Sequence, residues 1–452
     1  MSAKTQNIDM LNGSLFWNLI RYSIPTIAIG VVGTLYNAAD TAVLGIFGGT
    51  EAMAGVGSTG SLYGMAMSLF LGYTSGVGIV VGRAFGKKDK EEISKVVHTS
   101  IASCLLFGVL IAVLGTVFSR QLLEFTAVPE NVMSEANAYN IIIFLSSPLF
   151  LVYSGISTIL RANGDAKRPM YISFISGGLN VLLNVFFVVV LDMTAAGVAL
   201  ATAICHIFTV VCGTVLLVRE KGDAHFYIRK FKIHKQQFLQ ICRVGFPMGF
   251  QTLIFSFANV IVQSSVNGLG DAAIAGNSSG GSIANLFYTA LNAISAASIA
   301  FISQNYGARK YDRIKKIVLY SIGITLIIWA LEAIIAVLFG RALVWMYTPQ
   351  DDVAIECGYQ KVIWVGAFYG LCGLTEIFTG AARAIGYNIS PTVISIVGVC
   401  GLRILWVYTA FAAIGTLPSL YLCYPLSWLF TLVGSGILLI FGCSKLKKRF
   451  AL

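Results

Sequence analysis

Charge is what this sequence has least of. Only 11% of its 452 residues are Asp, Glu, Lys or Arg, against roughly 25% in a soluble domain. That leaves too little polar surface to cover a water-soluble body, so lipid is the expected solvent. The nine cysteines form no CxxC pair and lie mostly in apolar stretches, as Cys104, Cys205, Cys212 and Cys400 do. They read as small buried hydrophobes, not as metal ligands or redox centres. Four scattered histidines contain no HExxH. The string GRAFGKKD, from Gly82 to Asp89, has the wrong glycine spacing for a P-loop and no Ser or Thr after its lysine. No catalytic cluster of His, Asp or Glu is evident, so neither an enzyme nor a nucleotide-driven motor is expected. The first residues, MSAKTQNIDMLNG, lead straight into an apolar stretch without a short h-region and cleavage site, so no removable signal peptide is expected.

What is present is hydrophobic length. Long continuous apolar runs indicate helices, because a barrel would alternate in segments of roughly ten residues. Polar breaks divide the runs into twelve spans: 18–47, 53–82, 94–118, 136–160, 169–191, 195–218, 240–267, 273–304, 317–340, 357–381, 391–413 and 419–442. The expected fold is an all-α polytopic membrane protein.

The net charge of +11 suggests nucleic acid until the basic residues are placed. With the N-terminus in the cytoplasm, 27 of the 31 Lys and Arg fall at cytoplasmic ends, loops and tail; only Arg120 and Arg341 lie in outer loops, and Lys361 and Arg403 within spans. So strong a bias sets both termini inside and makes nucleic-acid binding unnecessary.

The chain also repeats itself at an offset of about 221 residues. Pro25 answers Pro247, Asn37 answers Asn259, Gly86 answers Gly307 and Tyr139 answers Tyr359; Arg161, Gly164 and Pro169 answer Arg383, Gly386 and Pro391. Two pseudo-symmetric six-helix lobes are therefore expected, 1–218 and 240–452, joined by a cytoplasmic linker at 219–239. Six is even, so the lobes share one orientation. Parallel repeats of this kind are a transporter architecture, with substrate held between rocking halves.

Several motifs carry a family resemblance. IPTIAIGVVGTLYNAADTAVLG in the first span is echoed by FPMGFQTLIFSFANVIVQ in the seventh. LRANGDAKRP and ARAIGYNISP close the fourth and tenth spans, and VGRAFGKKDKEEI and ISQNYGARKYDRI follow the second and eighth. With the length, helix count and repeat, the sequence resembles the bacterial multidrug and toxic compound extrusion (MATE) transporters over residues from about 15 to 442. The resemblance implies secondary active efflux of bulky, often cationic organic compounds, driven by entry of H+ or Na+ and without a cofactor. It also implies a multi-pass protein of the bacterial inner membrane whose partners are the bilayer and small organic substrates. A monomer is expected.

Ionisable residues deep in a span are costly and mark function. Asp40 lies eight residues before Gly48, about 12 Å from the outer end at 1.5 Å per residue. Asn184 and Thr202 reach a similar depth on the fifth and sixth spans, and Asn180 shares the face of Asn184. A carboxylate among carboxamide and hydroxyl oxygens can hold Na+, and can equally exchange a proton. These positions match the amino-terminal-lobe cation site of the family, Asp40, Asn180, Asn184 and Thr202 with Tyr139 nearby. Some members carry Asp where Asn184 stands, so one carboxylate remains here and the identity of the ion stays open. Val262 stands opposite Asp40 in the repeat, and no acid occurs from Pro247 to Gln263. Some sodium-coupled relatives place a second acidic site on helices seven and ten; its helix-seven half is missing here.

The substrate cavity is expected to draw on Tyr36, Asn37, Asn259, Gln263, Tyr288, Glu376 and Arg403. Aromatic rings attract cations by roughly 0.5–2 kcal/mol. An internal Glu376–Arg403 ion pair is expected to offset the cost of both charges. Pro25 and Pro247 are hinge candidates, since each removes a backbone donor, and GxxxG at Gly72/Gly76 and Gly78/Gly82 is expected to serve close helix packing. The rival reading is a lipid or lipid-linked oligosaccharide flippase of the same superfamily, which would favour a strongly cationic cavity.

Overall fold

The computed structural model describes residues 7–126, 128–349 and 351–450, apart from the side chains of Asn37, Thr50, Glu51, Ser58, Ser61 and residues 446–450. Twelve helices are long and apolar enough to cross a membrane. They are α1 (Leu15–Gly48), α2 (Ala52–Lys87), α3 (Lys90–Val117), α4 (Glu130–Ala162), α5 (Lys167–Val190) and α6 (Ala195–Arg219), followed by α7 (Lys235–Asn267), α8 (Asp271–Gly307), α9 (Tyr311–Trp345), α10 (Asp352–Ala384), α11 (Ser390–Ile414) and α12 (Leu417–Lys445). No strand occurs among the described residues. Each expected span is present, and most extend past the apolar run because polar residues cap them. The Asp89 side chain, for example, accepts from the Glu91 and Glu92 amides and starts α3.

The sequence repeat is written into the backbone. Residues with left-handed φ recur in pairs at the repeat offset: Gly49 (79°) with Gly270 (98°), Lys88 (58°) with Arg309 (57°), Gly164 (91°) with Gly386 (113°), and Asp192 (53°) with Gly415 (70°). Each pair sits where one helix turns into the next. A positive φ is costly for most L-residues, so the same turns recur in both halves.

The chain divides into two compact units, residues 28–250 with the start of the chain, and residues 9–27 with 251 onward. Both α1 and α7 therefore contribute to each unit. Pro25 and Pro247 lie two and three residues before the points where these helices pass from one unit to the other. In the second unit the chain start is tied down by Asn305, whose side chain donates to the Met10 carbonyl at 2.9 Å, and by Lys310, which reaches the Leu11 carbonyl at 2.9 Å.

Within the first unit, α2 and α7 approach through glycine. A Cβ on Gly72 would lie 2.1 Å from the Gly249 nitrogen, and one on Gly76 2.6 Å from Gly245 Cα. Two GxxxG faces thus meet backbone to backbone, the close packing expected for Gly72/Gly76. Gly78 admits a Thr158 methyl that its own Cβ would meet at 2.8 Å.

Candidate functional site

In the first unit the polar residues of α1, α5 and α6 converge. Asp40 is 7% exposed and Asn180 and Asn184 are fully buried. Asn184 Nδ2 donates to Asp40 Oδ1 at 2.6 Å and to Asn180 Oδ1 at 3.1 Å, while Asn180 Nδ2 reaches Thr202 Oγ1 at 3.4 Å. The i,i+4 spacing on α5 turns both carboxamides towards α1. Local backbone geometry marks the same level: α1 loosens into a π-helical turn at Leu44–Gly48, just past Asp40, and α5 at Phe186–Val190, just past Asn184. Such bulges are frequent at functional sites, because they re-aim side chains and free backbone groups.

The donor set suits a small hard cation. Every candidate ligand atom is an oxygen, and Asn184 Oδ1 is buried without a hydrogen-bond partner. No basic side chain forms an ion pair with Asp40 among the described residues. Nor does any group of three His, Cys, Asp or Glu occur there that would hold a transition metal. Tyr139 is half-buried and packs on the cluster of Val43, Leu44, Ala52, Val188, Ala195 and Val198, next to Asp40 in the fold. The Tyr36 hydroxyl lies 3.1 Å from Ser176 Oγ, a partner that no motif pointed to. The side chain of Asn37 lies outside the described residues.

The second unit builds a different cluster from the matching helices. Arg403 on α11 is 4% exposed. Its Nη1 donates to Asn259 Oδ1 at 3.0 Å and its Nε to Ser427 Oγ at 3.2 Å, and its guanidinium lies 4.1 Å from the Tyr424 ring centroid and 5.7 Å from that of Trp428. Two π-helical turns, Ile396–Gly401 and Val407–Phe411, bracket it. The expected ion pair with Glu376 is not formed among the described residues: carboxamide, hydroxyl and ring faces satisfy the guanidinium instead. Glu376 lies on α10, as does Arg383, whose guanidinium donates to Gln251 and Thr392. Gln263 accepts from Asn277 at 2.6 Å and donates to Asn267 at 2.8 Å; Asn277 in turn accepts from the Tyr421 hydroxyl at 3.0 Å. The sequence signal for Ser427, Tyr424 and Trp428 was their place on α12, the counterpart of α6; without contacts, nothing separated them from other residues of that helix.

A duplicated six-helix bundle, with buried carboxamides around Asp40 in one half and a carboxamide, a hydroxyl and rings around the Arg403 guanidinium in the other, defines a multi-pass membrane transporter. The MatE family model matches residues 25–186 and again 247–409, starts that are 222 residues apart, and the chain belongs to that family, the MATE transporters. Among curated relatives it is 27% identical to the probable multidrug resistance protein YoeA of Bacillus subtilis, over 86% of each chain. It is 21% identical to the multidrug export protein MepA of Staphylococcus aureus over 91% of each. Among solved structures, an outward-facing multidrug resistance MATE transporter superposes with a TM-score of 0.89 at 22% identity, covering 98% of this chain and 99% of that one.

Proposed function

We propose that this protein is a secondary active efflux transporter of the bacterial inner membrane that exports small organic compounds, cationic ones foremost, in exchange for H+ or Na+. The relatives named for multidrug resistance and export support the cargo class. The observation that carries the coupling is Asp40: a buried carboxylate held by carboxamides, with no basic partner among the described residues and an orphaned Asn184 oxygen beside it. A carboxylate in that setting needs a cation to balance it. Asp40, Asn180, Asn184 and Thr202 would hold Na+, or Asp40 alone a proton, with Tyr139 packing the site from α4. Loading and release at Asp40 would then bias α1, whose Pro25 lies beside its passage between units, and with it the rocking of the two lobes. Both termini face the cytoplasm, and the protein acts as a monomer without cofactor or nucleotide.

The test is efflux of a fluorescent organic cation from proteoliposomes under separately imposed sodium and pH gradients, for the native chain and Asp40→Asn. Gradient-driven movement lost in the variant supports antiport and identifies the ion. Movement that survives removes Asp40 from coupling, and no movement under either gradient sinks the reading and makes lipid flipping the next assay.

A further inference from the structure

Helix α9 carries its polarity on the inside. Its exposed face is Ile327, Leu331, Ile334 and Leu338, between 53% and 69% accessible. Its buried stripe is Ser321, Thr325, Glu332 and Ala336, spaced by four and seven residues and so on one face. Glu332 is 5% exposed, and neither of its carboxylate oxygens has a hydrogen-bond partner; the hydroxyls of Ser321 and Thr325 on the same stripe have none either. A buried carboxylate of this kind is expensive inside a bundle. The fold does not demand one, because the repeat counterpart 221 residues earlier is Ile111, buried to the same 5%.

The helix opposite is broken. α10 is α-helical over Asp352–Trp364, tightens to a 3-10 turn at Gly366–Phe368, and resumes as α-helix over Tyr369–Ala384. The Phe368 amide donates to the Val365 carbonyl at 3.2 Å, which leaves the Trp364 carbonyl without its usual i+4 amide. The counterpart α4 is one α-helix over Glu130–Ala162.

Two contacts bring the acid and the break together. Trp329 Nε1 donates to the Ala367 carbonyl at 2.6 Å, and a Cβ on Gly340 would lie 3.0 Å from the Tyr359 ring. Glu332 and Ala336 fall between these points on α9, and Ala336 packs in a cluster with Val362 and Ala367. The buried carboxylate therefore sits at the level of the 3-10 turn. Two departures from the internal repeat, an acid on α9 and a break in α10, meet at one place.

We propose that Glu332 and the 3-10 turn that breaks α10 form a second cation-exchange site, in the second unit, that takes up a proton or sodium ion independently of Asp40. In discontinuous membrane helices a carbonyl freed at the break can serve an ion that a nearby carboxylate balances; here the Trp364 carbonyl is the one released. The other titratable groups on the packed elements are engaged or lie at other levels. Lys361 Nζ donates to the Asn277 carbonyl at 2.9 Å, Arg341 pairs with Glu356 at 2.7 Å, and Glu376 lies two turns beyond the break on α10. Tyr359 lies by Gly340, Cys372 is one turn further along α10, and on α8 only Tyr288 is ionisable between Asp271 and Tyr306. Tyr369 is the first residue after the break and packs against Tyr288 and Trp428. The site adds a coupling cation to the antiport proposed above and rests on that reading only for its effect on transport.

Binding is tested in the full-length Asp40→Asn chain in liposomes with dicyclohexylcarbodiimide, which modifies protonated carboxyls in apolar surroundings, and the labelled residue is mapped by mass spectrometry. Glu332 should be labelled. Severalfold suppression by sodium at fixed pH identifies a sodium site, and suppression only by raising the pH identifies a proton site. Absence of label at every pH, or label indifferent to both, overturns the proposal. As a second measurement, Glu332→Gln in an otherwise native chain should reduce the cations moved per dye molecule by about half, as expected when one of two linked sites is removed; an unchanged ratio overturns the coupling role. The neutral Ile111 at the equivalent place argues that the glutamine chain folds. Failure of dye transport in the native chain would sink the antiport reading while leaving the labelling result standing.

Discussion

The two halves of this protein share a backbone and differ in where they bury charge. Four pairs of left-handed turn residues recur at the repeat offset, yet the acid of the first half, Asp40, faces Val262 in the second. The second half instead places a cation, Arg403, among the helices equivalent to those of the Asp40 cluster, bonded to Asn259, the counterpart of Asn37. Its own buried acid, Glu332, stands where the first half has Ile111. Turns are set by sterics that any copy of the fold must satisfy. Buried charges are not required by the fold, and each is held by a local arrangement of its own. Where the halves depart from each other is thus where function is to be sought.

The largest expected effect breaks that comparison at its centre. Asp40→Asn should reduce gradient-driven dye efflux to the leak rate of empty liposomes, and Val262→Asp in the same chain should not restore it. Restoration would mean that the halves are interchangeable. Next in size is Arg403→Met, which strips Asn259 and Ser427 of a buried charged donor and removes the ring contacts. It should cost about 3 kcal/mol, the upper range for hydrogen bonds to charged groups, read as a lowered thermal midpoint in detergent. Asp40→Asn should leave that midpoint nearly unchanged, so the pair separates a structural charge from a coupling charge.

Gly249→Ala should destabilise by about 2 kcal/mol through overpacking, because its Cβ would meet the Leu69 carbonyl oxygen at 2.1 Å. Gly33→Ala, with nothing within 4 Å of the added carbon, should be neutral or stabilising in the same unfolding assay. A smaller loss than that of Gly249→Ala is expected for Trp329→Phe, which removes one hydrogen bond to the α10 break at about 1 kcal/mol. It should alter carbodiimide labelling of Glu332 more than it alters stability; the reverse order would make Trp329 a packing residue only.

Much of this was legible in the residues themselves. Helix number and the repeat follow from hydrophobic length and from residues at a fixed offset, both local properties of a chain. Asp40, Asn184 and Thr202 could be brought to one depth by counting 1.5 Å per residue along three helices, with Asn180 one turn deeper on the face of Asn184. Opposite charge within neighbouring spans gave Glu376 and Arg403 as partners. That failed because charge and span say nothing of rotation about the helix axis, and Arg403 turns to Asn259, Ser427 and two rings.

Composition and periodicity by themselves determined that this is a twelve-helix membrane protein built twice, since solvent sorts side chains by polarity whatever their tertiary partners. Only the tertiary structure decided which buried polar groups are satisfied. The packing of α9 leaves both Glu332 oxygens bare, which no run of residues reveals, and the break in α10 was invisible in a sequence with no proline there. Hydrogen bonding between helices depends on rotation, register and backbone irregularity, which are fixed by the packing of many residues together and not by the run of any one segment.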